Sequence, residues 1–346
     1  MRYRTLGRTG MQVSTLCLGT MMFGAWGNPD EAACRRIVDL ALDAGINFVD
    51  TADVYDRGVS EEIVGRALEG RRDRVVLTTK VFNPMGEDPN ERGASRRWIV
   101  AEVEASLRRL RTDWIDCYLV HRPDPATDLD ETLGAMSDLV HAGKVRAIGC
   151  STFPAELLVE ADFVARARGR ERFAVEQPPY SIFARGIEGH VLPTAQRLGL
   201  GVMVWAPLNG GWLSGKYRRG RDVAPDARAV REAEHFDWGR PEAEVKLSLV
   251  EQLEKLAAEA GCSLAHLALA FVLEHPAVTS AIIGPRTPEQ LTSLLGAEEV
   301  VLPDAVLDRI DELVAPGTDV NPMNAGYVPP ALVEPSLRRR RAGPAR

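Results

Sequence analysis

Residues 45–55 read Gly45-Ile-Asn-Phe-Val-Asp50-Thr-Ala-Asp-Val-Tyr55, and this stretch decides how the chain is read. An apolar run, Ile46–Val49, ends on the carboxylate of Asp50, and the phenol of Tyr55 follows five residues later on a loop. Two further runs end the same way. Arg74-Val-Val-Leu-Thr-Thr-Lys80 closes on an ammonium, and Trp114-Ile-Asp-Cys-Tyr-Leu-Val-His121 on an imidazole. A free tyrosine titrates near ~10, too high for a good acid at neutral pH. A lysine cation beside it favours the phenolate by roughly 1–3 pKa units. A carboxylate would hold that lysine charged and fixed, and an imidazole next to the phenol would orient a carbonyl oxygen. These four side chains therefore suit a proton-donating site.

Outward from this stretch the pattern alternates. Short runs rich in Val, Ile, Leu and Cys lie near 16–19, 46–50, 74–80, 114–120, 144–150, 172–176, 200–205 and 279–283. Continuous apolar runs of this length fit strands buried on both faces. Amphipathic helical stretches lie between them near 30–44, 59–69, 95–110, 129–142, 154–168, 187–198 and 243–260, with 288–296 after the last strand. Eight strand–helix pairs favour a closed α/β barrel, although alternation by itself is equally compatible with an open sheet. Residues 2–5 and 11–14, joined through Gly7 and Gly10, read as a hairpin ahead of the first barrel strand. Residues 206–241 break the spacing and read as a long functional loop. Residues 1–316 are expected to form the barrel and 317–346 a loosely ordered tail with a solvated charge run at Arg338–Arg341.

The 346 residues suit one barrel with insertions. Forty-two basic against 49 acidic residues give −7, which argues against a general nucleic-acid binder. No apolar run approaches membrane-spanning length. The start, Met1 to Arg8, has charges without an apolar core and is not expected to be a signal peptide. Five scattered cysteines without a C-x-x-C fit reduced thiols, hence an expected cytoplasmic location. The six histidines have no metal-ligand spacing, so no metal is expected, and His266 in Leu264–Phe271 reads as a packed side chain. Oligomeric state is not legible.

Asp50, Lys80, His121, Ser151, Gln177 and Trp205 all fall at or just past the C-terminal ends of expected strands. In a parallel barrel those ends converge on one mouth, where active sites lie. Singly, each has a structural explanation: Asp50 as a turn cap, Lys80 as a strand-end charge, Tyr55 as a surface aromatic, His121 as a loop residue ahead of Pro123. Their joint placement is what favours chemistry.

Gly45–Tyr55, with Lys80 and His121, resembles the aldo-keto reductase superfamily, closest to the branch containing potassium-channel β subunits and bacterial reductases. The resemblance runs from about Leu16 to about Ala297. It implies a (β/α)8 TIM barrel with an N-terminal β-hairpin and a long cofactor-binding loop. It also implies NADPH-dependent reduction of an aldehyde or ketone to an alcohol, Tyr55 giving the proton, Lys80 and Asp50 supporting it, and His121 orienting the carbonyl. The alternative is an NADPH-binding redox-sensing or regulatory subunit with slow turnover; His121 at the fourth position favours a working reductase.

The cofactor residues are carried over on motifs. Gly149-Cys-Ser151-Thr152 resembles the family's Gly-x-Ser-Asn, with Thr152 departing from the Asn. Gln177 matches the carboxamide-binding glutamine and Trp205 the ring that stacks on nicotinamide. Trp205-Ala206-Pro207-Leu208-Asn-Gly210-Gly-Trp-Leu-Ser-Gly-Lys216 resembles the pyrophosphate loop, and Arg228 matches a further basic residue across a gap. Ile283-Gly284-Pro-Arg286-Thr-Pro-Glu-Gln290 resembles the loop gripping the adenosine 2′-phosphate. Ser293 and Leu294 depart from the Glu-Asn pair expected there. Thr20 and Met21, after the first barrel strand, and Asp50 complete the implied cofactor set. Arg286 and Lys216 favour NADPH, NADH being the less favoured alternative. Phe23, Trp26, Tyr55 and His121 are expected to line the substrate pocket, with the substrate a small-molecule carbonyl compound of unassigned identity.

Gly210-Gly-Trp-Leu-Ser-Gly215-Lys216 also fits G-x-x-x-x-G-K, but Tyr217 stands where a P-loop needs Ser or Thr, and Trp212 and Leu213 are bulky for a phosphate cradle. Gly199-Leu-Gly201 precedes its strand and lacks a third glycine, so it is no Rossmann fingerprint.

Overall fold

The computed structural model describes residues 1–220, 223, 227–231, 236 and 240–339. A hairpin of β1 (Tyr3–Thr5) and β2 (Gln12–Ser14) precedes eight strands, β3 (Leu16–Gly19), β4 (Phe48–Asp50), β5 (Val76–Val81), β6 (Ile115–Val120), β7 (Val145–Ser151), β8 (Val175–Gln177), β9 (Gly201–Val204) and β10 (Ser280–Ile283). The eight pair in parallel and in order, and β10 closes on β3. The open-sheet alternative is thereby removed.

Helices flank the barrel: α1 (Glu31–Asp43), α2 (Val59–Ala67), α3 (Arg96–Leu110), α4 (Leu129–His141), α5 (Ala155–Arg168), α6 (Val191–Leu198), the short α7 (Arg228–Arg231), α8 (Pro241–Glu259), α9 (Leu264–Glu274) and α10 (Pro288–Leu295). Their starts are chemically marked. The Asp30 carboxylate accepts from the Ala32 and Ala33 amides, Ser95 caps α3, Asp128 caps α4 and Thr287 caps α10. The expected helix over 187–198 is shorter, because a 3-10 turn at Gly186–Glu188 and the non-helical His190 precede α6. The sequence reading assigns no element to 304–313, yet α11 (Asp304–Leu313) forms there, burying Ile310. The G-x-x-x-x-G-K stretch lies in an irregular 3-10 segment, Asn209–Ser214, rather than between a strand and a helix.

Two apolar cores divide the barrel. One fills the space between strands and helices. The other fills the lumen with Leu6, Val13, Cys17, Phe48, Cys117, Leu119, Val175, Met203 and Ile282. Leu6, from the hairpin, plugs the floor. The approach there is so close that a Cβ on Gly201 would stand 2.6 Å from the Leu6 side chain and 2.8 Å from the Gly7 amide nitrogen. The lumen core also sets the direction of the mouth. Side chains two apart on a strand share a face. Phe48, Leu119, Val175 and Met203 point inward, so Asp50, His121, Gln177 and Trp205 are aimed at the same axis one layer higher.

Beyond Pro316 the chain crosses the barrel mouth. The Val320 amide donates to the Phe183 carbonyl (2.9 Å), the Arg185 amide to that of Thr318 (2.9 Å), and the Gly186 amide to the Asp319 carboxylate (2.9 Å). Short helical turns follow at Pro322–Ala325, Pro330–Val333 and Pro335–Leu337. Of the Arg338–Arg341 run, residues 340 and 341 lie outside the described residues.

Candidate active site

Asp50 ends β4, Lys80 is the penultimate residue of β5, and His121 follows β6. Their convergence is direct. Lys80 Nζ donates to Asp50 Oδ2 (2.8 Å), to the Thr51 carbonyl (2.6 Å) and to the Tyr55 hydroxyl oxygen (3.2 Å). Lys80 is fully buried. Gln177 Nε2 donates to the other oxygen of Asp50 (2.8 Å), so the carboxylate is held on both sides. Tyr55 and His121 meet edge to face, ring centroids 6.0 Å apart. Asn83 Nδ2 lies 3.1 Å from His121 Nδ1. With the amide oriented so, Asn83 donates to Nδ1, and the proton of a neutral imidazole sits on Nε2.

The turn carrying Tyr55 is held in an uncommon backbone. Asp56 (φ +48°), Arg57 (φ +54°) and Gly58 (φ +93°) are consecutive left-handed residues. A Cβ at Gly58 would lie 2.6 Å from the Arg109 side chain, so the turn needs glycine for its φ and for the approach of α3. The Asp56 carboxylate accepts from the Ala25 amide (2.6 Å), tying the turn to the loop after β3.

The electrostatics differ from the sequence expectation in one respect. Burial pushes the Tyr55 phenol above its ordinary value, and Lys80, though it opposes this, does not win; Asp50 adds to the rise. Tyr55 therefore carries its proton at neutral pH. The expected lowering fails because a lysine already neutralised by Asp50 offers a buried phenolate less than water would. Burial disfavours the Lys80 cation, but Asp50 and then Tyr55 outweigh it, so Lys80 stays charged. Burial, together with Lys80 and Arg122, drives His121 well below its ordinary range and keeps the imidazole neutral.

The residues expected around a cofactor lie on the same mouth. Ser151 ends β7 and Gln177 ends β8, paired in register. Ser151 Oγ donates to the Gln177 carbonyl (2.8 Å), and Thr152, at φ +62°, accepts at Oγ1 from Arg122 (2.6 Å). Trp205 follows β9, and its indole Nε1 is buried with no hydrogen-bond partner among the described residues. Ala206 (φ +54°) then turns the chain into Pro207, Leu208 and Gly210. Lys216 and Arg228 stand on this loop. Gly284 follows β10, and a side chain there would meet nothing within 4 Å, so open space faces its Cα. Gln290 Oε1 accepts from the Arg286 amide (2.9 Å), and Asn28 Nδ2 donates to the Arg286 carbonyl (2.7 Å). An unpartnered indole, open space at Gly284 and basic residues on two flanking loops suit a long anionic dinucleotide. Thr20 is fully buried, its hydroxyl bonded to Asp50 O (3.1 Å) and Ser60 Oγ (2.9 Å), with half-buried Met21 beyond it.

The expected pocket residues part company. Trp26 is 43% exposed, whereas Phe23 is fully buried in the outer core and presents no surface. A hollow of about 230 Å³ lies between Thr152, Pro179 and the tail residues Asp319, Asn324 and Tyr327, and none of Asp50, Tyr55, Lys80 and His121 lines it. Two residues not anticipated from sequence, Asn83 and Arg122, touch His121. Arg122 Nη1 donates to the His121 carbonyl (3.0 Å), and its guanidinium lies 5.8 Å from the Trp205 ring centroid. Their positions next to His121 and after Lys80 were the only available signal.

Among the described residues no cluster of His, Cys, Asp and Glu could hold a metal ion, and His266 bonds the Ser293 carbonyl (2.7 Å). No single helix is long and apolar enough to cross a membrane.

The Aldo/keto reductase family model matches residues 15–315. The chain is 41% identical over 325 residues to "Uncharacterized oxidoreductase YrpG" of Bacillus subtilis, covering 90% of this chain and 96% of that one. It is 37% identical over 324 residues to a "Probable voltage-gated potassium channel subunit beta" of Oryza sativa (91% and 97% covered). It is 38% identical over 299 residues to "Aldo-keto reductase YhdN" of B. subtilis (85% and 88% covered). The family match over residues 15–315 and these identities show that the chain belongs to the aldo/keto reductase family, a family of oxidoreductases.

Proposed function

We propose that the protein reduces an aldehyde or ketone to an alcohol with NADPH, Tyr55 being the proton donor. The observation that carries this reading is the buried Lys80 ammonium between Asp50 Oδ2 (2.8 Å) and the Tyr55 hydroxyl (3.2 Å). Bound NADPH would supply hydride to the carbonyl carbon. Tyr55, kept neutral by burial, gives its proton to the developing alkoxide, and the adjacent Lys80 cation stabilises the phenolate that remains. Neutral His121 donates from Nε2 and orients the carbonyl oxygen. Donors fixed at the place where negative charge develops are usually the largest catalytic term.

Ser151, Thr152 and Gln177 are assigned to the carboxamide, Trp205 to the nicotinamide face, and Thr20, Met21 and Asp50 to the ribose side. Ala206, Pro207, Leu208, Gly210, Lys216 and Arg228 wrap the pyrophosphate. Gly284, Arg286 and Gln290 take the adenosine end, where guanidinium chemistry favours the 2′-phosphate of NADPH over NADH. Tyr55 and His121 face the substrate, with Trp26 at the rim. The described fold, without a spanning helix, suits a cytoplasmic enzyme.

A second reading, an NADPH-binding regulatory subunit with slow turnover, draws support from the channel-β names among the relatives. NADPH consumption with a panel of aromatic aldehydes and diketones, for wild type and Tyr55→Phe, separates the two. Turnover that collapses in the variant is expected; tight NADPH binding with no turnover on any carbonyl would favour the regulatory reading.

A further inference from the structure

The charges at the mouth do not balance. Asp50 and Lys80 cancel, while Tyr55 and His121 are neutral. Arg122, next to His121, adds a positive charge that no Asp or Glu pairs with among the described residues. The carboxyl whose charge acts on it, Glu176, is a poor counterion. Burial pushes Glu176 up to about 8, so it is mostly protonated at neutral pH, and its oxygens already accept from the Phe153 amide (3.1 Å) and Cys150 Sγ (3.0 Å). Arg122 itself is half-buried, and desolvation weakens its cation, with Tyr55 and Glu176 only partly opposing. A half-buried guanidinium without an anionic partner is costly unless something completes it.

The geometry leaves it a free fork. Both hydrogen bonds given to Arg122 use Nη1, to Thr152 Oγ1 (2.6 Å) and to the His121 carbonyl (3.0 Å). These bonds hold the plane and leave Nη2 and Nε, the edge that matches a carboxylate. The Trp205 ring, 5.8 Å away, backs the cation.

We propose that Arg122 is a substrate-binding residue that anchors a carboxylate, making the preferred substrates oxo acids: small carbonyl compounds whose acid group lies near the carbonyl. The inference rests on the reductase reading for its reaction but not for its binding site. A carboxylate fits better than a phosphate, because Arg122 is the guanidinium beside His121 and the neighbouring cation, Lys80, is fully engaged. The oxo acid takes hydride at its carbonyl carbon, NADPH becoming NADP+, and a proton at oxygen from Tyr55, leaving a hydroxy acid. The Arg122 charge acts on both Tyr55 and His121, so a carboxylate held by it would lie close to the carbonyl those two residues grip.

The test uses two probes on the full chain. The first is kcat/KM for phenylglyoxylate against its neutral methyl ester, in wild type, Arg122→Gln and Arg122→Lys. Wild type is expected to prefer the acid, and Arg122→Gln to lower the acid:ester ratio by about 10- to 100-fold, the loss expected for one charged hydrogen-bonded pair. Arg122→Lys should recover part of the ratio. A role confined to bracing the Thr152 turn, or to the cofactor, would lower acid and ester together; an unchanged ratio, or a wild type that prefers the ester, overturns the proposal. The second probe is benzoate, which cannot be reduced, titrated calorimetrically into the NADP+-saturated protein. Binding lost in Arg122→Gln with no turnover on any carbonyl would keep the anion site and reject the reductase reading. Ester reduction without benzoate binding would do the reverse.

Discussion

Two buried charge clusters lie a few residues apart, and their contrast separates chemistry from architecture. In the first, Lys80 bridges Asp50 and a phenol at the barrel mouth. In the second, Arg109 Nε bonds Glu61 (2.6 Å) while its Nη2 bonds Glu102, between α2 and α3. Glu61 is saturated, also accepting from Thr79 Oγ1 (2.5 Å) and Ser106 Oγ (3.3 Å). It is a closed knot joining helices to β5. The mouth cluster instead ends on a group with a transferable proton, Tyr55, flanked by a neutral imidazole and an uncompensated arginine. Burial and ion pairing are common to both, so neither marks a site. The open end and the labile proton do.

The sharpest way to break this contrast is to exchange charge for bulk in each cluster. Lys80→Met removes the cation that stabilises phenolate and should lower kcat by about 100- to 10,000-fold, the range for lost acid–base catalysis, in steady-state assays at saturating NADPH. Arg109→Leu leaves Glu61 and Glu102 without their partner and should cost about 3–5 kcal/mol in denaturant unfolding, with turnover per folded molecule changed far less. Equal kinetic losses in both variants would erase the distinction.

Asn83→Ala should reduce kcat/KM by about fivefold, one hydrogen bond's worth, because His121 loses the donor that sets its tautomer. A further effect concerns pH and stability rather than turnover. Glu176 has its folded pKa raised to about 8 by burial, above its ordinary 4.5. The folded state thus binds the extra proton, and stability falls as pH rises from about 4.5 to about 8. Glu176→Gln should flatten that slope in unfolding curves across this window.

Much of the mouth was legible in the sequence because strand parity carries it. Once Phe48, Leu119, Val175 and Met203 are lumen residues, Asp50, His121, Gln177 and Trp205 must share their face. The closed barrel was not legible from alternation, since closure depends on β10 meeting β3 across the whole chain. Helix α11 was missed although Val306, Leu307 and Ile310 repeat at helical spacing. Phe23 was misplaced because an aromatic on a mouth loop reads alike whether it faces substrate or core. The rise in the Tyr55 pKa reflects desolvation of the phenol by the groups gathered around it, although the turn itself is only half-buried, and the Asp–Tyr spacing does not encode this. Arg122 is not legible in the sequence for a related reason: what distinguishes it is the lack of an acidic partner among the described residues, visible only once its neighbours are placed.

The most direct measurement is a single-turnover reduction of an aromatic diketone by NADPH-saturated wild type and Tyr55→Phe, with cofactor occupancy measured in the same samples. The account predicts full NADPH binding in both and a chemical step slowed at least about 100-fold in the variant. A variant that binds NADPH and reduces the carbonyl at the wild-type rate would contradict the assignment of Tyr55 as the acid.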